Sequence, residues 1–259
     1  MNAIDLVEAD IRASLAAASS RPLVVGVCGA QGSGKSTIAG VLAERLGADG
    51  IAAATLSIDD LYLPRTERIA LAAAVHPLLA TRGVPGTHDT ALGLALFAAI
   101  DQGEAVRLPR FDKARDDRSP ERDWTPVAAG LDVLIFEGWC VGAAPQTAAD
   151  LAVPANALEA AEDTDGAWRR FVNVALGGPG YRALFARIDR LVLLAAPGFD
   201  VVHDWRIEQE RAGARAMNDA GVARFIAHYE RLTRHILKEM PDRADLVIRQ
   251  VADRSVVPG

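Results

Sequence analysis

Five short, largely apolar runs punctuate the chain, at residues 23–27, 51–58, 131–136, 191–196 and 246–248. Apolar runs without polar alternation predict strands buried on both faces, the pattern of a parallel sheet covered by helices. The segments between them carry helical spacing. Ile4, Val7, Ile11 and Leu15 fall on one face of a first helix, and Ile38, Val41, Leu42 and Leu46 mark a second, with Gly47 as its expected stop. Residues 201–240 read as one long, mainly helical stretch. Strand and helix therefore alternate, which predicts an α/β fold around a mostly parallel, five-stranded sheet. Residues 62–125 break the alternation, being rich in Pro, Arg, Asp and Thr with no strong strand except at 105–111. They are expected to form an insertion over the sheet within a single domain spanning 1–259.

Composition narrows the class of partner. Hydrophobic residues make up 50% of the 259 positions and charged residues 24%, enough for a sizeable core and far from the signature of disorder. Lys and Arg total 28 against 34 Asp and Glu, a net charge of −6, which disfavours a nucleic-acid partner. Two cysteines, Cys28 and Cys140, make no disulfide framework and no metal-ligand spacing. No apolar stretch is long enough to span a membrane, and the acidic N-terminal helix is unlike a signal peptide, so a cytoplasmic location is expected. Oligomeric state is left open. Among the 28 basic residues only Lys35, Lys113 and Lys238 are lysines, so each lysine calls for a reason of its own.

Lys35 has one. Gly29, Ala30, Gln31, Gly32, Ser33, Gly34, Lys35, Ser36 and Thr37 contain GxxxxGK[ST], between an apolar strand and an amphipathic helix. Glycines let the backbone wrap phosphates closely, so that its N–H groups and the helix N-terminus face the anion. Lys35 is then expected to reach the β- and γ-phosphates and Ser36 to hold Mg²⁺. No Asn-Lys-x-Asp is present for guanine recognition, and no Ser-Gly-Gly of transporter ATPases. Instead Asp59 and Asp60 follow the second apolar run and Glu137 ends the third. Parallel strands deliver ligands from their carboxyl ends, so these acids are expected beside the phosphates and metal, making Ser36, Asp59 and Glu137 the candidate Mg²⁺ ligands. An NTP-binding phosphotransfer site is the reading, on a three-layer α/β/α P-loop NTPase fold.

At this point the chain resembles the phosphoribulokinase, uridine kinase and pantothenate kinase group, and within it the plant and fungal D-glycerate 3-kinases. The resemblance rests on GAQGSGKST at 29–37, SIDDLYL at 57–63, RGVPGTHD at 82–89, LPRFDKARDDR at 108–118, LIFEGWCVG at 134–142 and DWRIEQE at 204–210. The turn at Ala114, Arg115 and Asp116 is shorter than in that family, which carries glycine there.

The resemblance implies an ATP:D-glycerate phosphotransferase making 3-phosphoglycerate. Lys35, Asp59 and Glu137 would be catalytic, Asp59 meeting the attacking hydroxyl. Glycerate is a small anion and needs fixed cations and polar groups. Asp60, Tyr62, Arg82, His88, Asp89, Arg110, Asp112, Lys113 and Arg118 are the substrate-binding candidates. Arg206 and Arg211 fall in a region, about 198–215, where related kinases place a lid over ATP, although Arg206 and Glu210 are also spaced as an ordinary surface pair. Trp205 is expected to pack, and His203, His228 and His235 lack metal-binding spacing. Alternatives are a kinase of pantothenate, a nucleoside or another hydroxy acid, or an NTP-driven switch or assembly factor. Tyr62, Phe97 and Phe111 are the only aromatics between Asp59 and Pro120, a thin supply for stacking a nucleobase.

Overall fold

A computed structural model describes residues 2–18, 22–212 and 218–257. In chain order the elements are α1 (Ala3–Ala17), β1 (Leu23–Gly29), α2 (Lys35–Ala48), β2 (Ala53–Ser57), α3 (Arg65–Ala74) and α4 (Thr90–Asp101). Four short strands follow, β3 (Val106–Leu108), β4 (Phe111–Asp112), β5 (Asp117–Arg118) and β6 (Thr125–Val127). Then come β7 (Val133–Gly138), α5 (Ala157–Glu162), α6 (Ala167–Leu176), α7 (Pro179–Phe185), β8 (Arg190–Ala195), α8 (Asp200–Ala212), α9 (Asp219–Glu239) and β9 (Leu246–Arg249).

The five apolar runs become one sheet in the order β2-β7-β1-β8-β9, with every pairing parallel. Alternate residues of a strand point to opposite faces, so both faces of these strands must be covered. Val25, Val27, Val133, Ile135, Val192 and Leu194 pack with α1 and α2, while Val24, Cys28, Leu134, Phe136 and Leu193 pack with α4, α7 and α9. That gives the three-layer α/β/α fold. Because β1 sits between β7 and β8, the crossovers diverge around it, leaving a crevice at its carboxyl end.

Three local expectations shift. Helix α2 runs through Gly47 to Ala48, and the left-handed turn residue is Gly50, at φ +79°. A glycine is tolerated within a last helical turn, whereas a left-handed residue ending the connection needs one. The strand expected at 105–111 splits, because Pro109 has no N–H to extend a ladder: Leu108 pairs with Thr125 and Phe111 with Arg118. The stretch 201–240 divides into α8 and α9, with Asn218 capping α9 by accepting from Gly221 N–H. Among the described residues no helix is long and apolar enough to cross a membrane.

The connection from β2 to β7 carries α3, α4 and two two-stranded sheets. Arg68 of α3, fully buried, staples it by donating to the carbonyls of Leu63, Ala80 and Asp116 at 3.1, 2.7 and 2.7 Å and pairing with the Asp116 carboxylate at 3.0 Å. Asp116 has φ +57°, a left-handed turn in which the carboxylate reaches back to Arg68 and Arg82.

Candidate active site

The phosphate loop leaves β1 at Gly29 and enters α2 at Lys35. Gly32 and Gly34 lie at φ +79° and +88°, which turns the backbone tightly enough to aim the α2 N-terminus into the crevice. Ser36 Oγ donates to Glu137 Oε1 at 2.8 Å, joining the loop to the end of β7. Glu137 is buried, and its other carboxylate oxygen has no protein partner. A buried carboxylate oxygen left in this way costs free energy unless a ligand meets it. Oxygens on one octahedral Mg²⁺ at about 2.1 Å lie about 3 Å apart, so the Ser36 and Glu137 pair suits that ion.

Asp59 is the second residue of the single 3₁₀ turn, Ile58–Leu61, after β2. Tyr62 Oη donates to its Oδ1 at 2.7 Å and Lys113 Nζ to its Oδ2 at 2.7 Å. Burial works to raise the Asp59 pKa, but the charges of Lys113 and Lys35 and these two hydrogen bonds overcome it and hold the carboxyl below the usual carboxylate range. Lys113 is correspondingly shifted up by the Asp59 charge. Tyr62 is pushed well above its ordinary value, by burial first and then by Asp59, so it stays a neutral donor.

Lys35, Asp59, Tyr62, Arg82, Lys113 and Arg206 meet around one small cavity, with Gln31 at its phosphate-loop side. Trp139, Phe225 and Tyr229 complete its wall. Arg206 of α8 lies over the Phe225 ring, 4.9 Å from its centroid. The side chain of Arg211 lies outside the described residues.

The other sequence candidates frame this cavity instead of lining it. Asp60 is engaged by Arg110 at 2.7 Å and Phe111 N–H at 3.0 Å, and burial shifts its pKa up despite those bonds. Asp89 caps α4 through Leu92 N–H and pairs with Arg118 at 3.0 Å, while Arg118 also donates to the Tyr62 carbonyl. Asp112 accepts from the N–H groups of Ala114 and Arg115 in the turn that presents Lys113. His88 is buried, stacked on Tyr62 with centroids 4.8 Å apart, and its Nδ1 is 2.6 Å from Tyr181 Oη. Burial pushes its pKa down to about 4.

Several supporting residues are not among the expected site residues. Tyr229 Oη donates to the Arg82 carbonyl at 3.1 Å, Trp139 Nε1 to the Gly83 carbonyl at 3.0 Å, and Gly86 N–H donates to Tyr181 Oη at 2.9 Å. Gly83 has φ +137°, and a Cβ there would lie 2.1 Å from Tyr229 Oη, so the backbone beside Arg82 is pressed against that hydroxyl. Trp139 stands inside the FEGW block, while Tyr181 and Tyr229 are single aromatics in amphipathic helices, where packing is their ordinary use. Trp205 is buried against Gly32, and none of the histidines joins a group of three metal-ligating side chains among the described residues.

A phosphate loop at the switch point of a parallel sheet, faced by strand-end acids and a cationic cavity, is the arrangement of a P-loop kinase. The profile of the Phosphoribulokinase / Uridine kinase family matches residues 24–151. An uncharacterized kinase of Schizosaccharomyces pombe is 34% identical over 222 residues, covering 81% of this chain and 79% of that protein. The chloroplastic D-glycerate 3-kinase of Arabidopsis thaliana is 30% identical over 222 residues, 80% of this chain but 46% of that longer protein. The D-glycerate 3-kinase structure from Cryptococcus neoformans superposes with a TM-score of 0.81 at 27% identity, covering 98% of this chain and 97% of that one. The chain belongs to the phosphoribulokinase/uridine kinase family and is a kinase.

Proposed function

We propose that the chain is an ATP-dependent small-molecule kinase whose acceptor is D-glycerate, phosphorylated in line to 3-phosphoglycerate. The observation that carries this reading is the charge of the cavity, where Lys35, Arg82, Lys113 and Arg206 face the single lining carboxylate of Asp59. That cationic excess calls for an anionic acceptor. The names carried by the Arabidopsis and Cryptococcus relatives support the same acceptor.

In this reading the phosphate-loop N–H groups and Lys35 take the β- and γ-phosphates. Ser36 and Glu137, with Asp59 close by, would hold Mg²⁺, which when bound neutralises charge on those phosphates. The acceptor carboxylate draws Lys113 and Arg82 to itself and frees Asp59 Oδ2 for the acceptor hydroxyl. A carboxylate of lowered pKa is a weak base, so Asp59 orients that hydroxyl and takes its proton late, as the oxygen bonds to phosphorus. Tyr62 keeps Asp59 turned toward the cavity. Helix α8, with Arg206, acts as the lid that excludes water and suppresses ATP hydrolysis.

A coupled assay of ADP release over D-glycerate, pantothenate, uridine and other hydroxy acids tests the reading. The expected result is strong stimulation above basal hydrolysis by D-glycerate, with the product phosphorylated on its 3-hydroxyl. Stimulation by another acceptor alone would replace the substrate, and stimulation by none would favour an NTP-driven switch.

A further inference from the structure

The turn at residues 250–256, after β9, closes over the outer side of the phosphate loop. Gln250, buried at the end of β9, donates from Nε2 to the Ser33 carbonyl at 3.0 Å. Arg254 donates from Nε to the Gly32 carbonyl at 2.6 Å. Its other arm pairs with Glu208 of α8 at 2.5 Å, and its guanidinium lies 5.1 Å from the centroid of the Trp205 ring. Trp205 returns the connection, donating from Nε1 to the Ala252 carbonyl at 2.6 Å. Arg254 itself sits at φ +69° in a turn closed by Arg254 N–H to the Val251 carbonyl at 2.9 Å and Val251 N–H to the Ser255 carbonyl at 3.0 Å. A non-glycine residue in that conformation costs free energy and persists where its surroundings hold it.

We propose that Arg254 is a positioning residue for the nucleotide, tying the phosphate loop to helix α8 and thereby setting where Arg206 stands over the cavity. One guanidinium contacts both partners at once: the peptide carbonyl at Gly32 and one face of α8, at Trp205 and, a turn further on, Glu208. Gly32 packs directly on α8, close enough that a Cβ there would lie 2.5 Å from Trp205 Cβ. In a trans peptide the carbonyl and the following N–H point in opposite directions. Holding the Gly32 and Ser33 carbonyls outward therefore fixes the orientation of the peptide units that form the phosphate cradle. The Arg254 charge also polarises the Gly32 peptide and adds to the positive field at the loop. Arg206 is the next residue after Trp205, so any shift of α8 against the loop moves it relative to Lys35 and Asp59.

This inference rests on the loop being a nucleotide site but not on the identity of the acceptor, and direct nucleotide binding separates the two. Calorimetric titration of the full chain with MgADP and MgATP is the measurement, alongside the thermal midpoint of each variant. Binding by the wild type establishes the site independently of any acceptor. Arg254→Met is expected to weaken nucleotide about tenfold, the equivalent of losing one charge-assisted hydrogen bond. Glu208→Gln, which loosens only the exposed arm of the tie, is expected to weaken it severalfold with the midpoint unchanged. If Arg254 acts by placing α8, Arg254→Met and Arg206→Gln are non-additive in the double variant. In turnover assays the variant raises the KM for ATP more than the KM for the acceptor, a split that general loosening of the fold does not produce. Wild-type affinity in both Arg254→Met and Glu208→Gln overturns the proposal, and so does full additivity with Arg206→Gln.

Discussion

Asp59 illustrates how much of the chemistry rests on single side chains. Lys113, Lys35 and Tyr62 keep it ionised and aimed, against the pull of burial. Asp59→Asn removes the negative charge while keeping the shape. It is expected to lower turnover by at least a hundredfold, within the range for loss of a positioned proton acceptor, while MgATP affinity stays within a few fold. Single-turnover kinetics with parallel nucleotide titration check this, and near-normal turnover would remove Asp59 from the mechanism. His88 behind Tyr62 carries a different prediction. Its pKa in the folded protein is about 4 against an ordinary 6.5, so between those values the unfolded chain binds the proton that the folded one refuses. Stability is therefore fully present above about pH 6.5 and falls as pH drops toward 4, with a slope from this residue of up to about 1.4 kcal/mol per pH unit. Urea unfolding between pH 4 and 7 should show that slope, and His88→Gln should flatten it whatever its effect on stability at neutral pH.

At the scale of elements, the site depends on how loops are held. The motif at 29–37 acts as a unit because β1, the glycine turn and α2 are contiguous, which is why it is legible in the sequence. The Arg82 and Lys113 loops are far apart in the chain and meet because Arg68 and Asp116 bind them together. Arg68 gives no sequence signal, since an arginine in an amphipathic helix ordinarily faces water, yet this one is fully buried. Arg68→Met is expected to cost about 3 to 5 kcal/mol, because it strands three carbonyls and a carboxylate that the guanidinium satisfied. Denaturant midpoints read that loss. In the folded fraction the KM for the acceptor should rise more than the KM for ATP, because the 112–117 turn carries Lys113 and the phosphate loop stands on a different support. Several of the expected substrate residues, Asp60, Asp89, Arg110, Asp112 and Arg118, also make hydrogen bonds and ion pairs within this framework. From sequence, a charged residue that binds substrate looks the same as one that holds the loop beside it.

Across the whole molecule, the phosphate loop is where β1, α2, α8 and the turn after β9 converge, so nucleotide binding should be felt as global stability. A ligand at one hundred times its Kd adds about 2.7 kcal/mol, which for a chain of this size is a rise of roughly 5 to 10 °C in Tm. MgATP is expected to produce a rise of that order, and chelating the metal or substituting Glu137→Gln to remove most of it. Equal protection with and without Mg²⁺ would argue against Ser36 and Glu137 as its holders. The sequence by itself determined the α/β class, the five strands, the phosphate loop and the acids at the strand ends, because each is written in contiguous residues whose periodicity or spacing local physics can read. Only the tertiary structure decided the strand order, the division of charged residues between cavity and frame, and the contacts of Tyr181, Tyr229 and Arg254. Arg254 meets Gly32 across 222 positions of chain, and such a contact follows from where the folded sheet brings two loops together, not from any pattern near either residue.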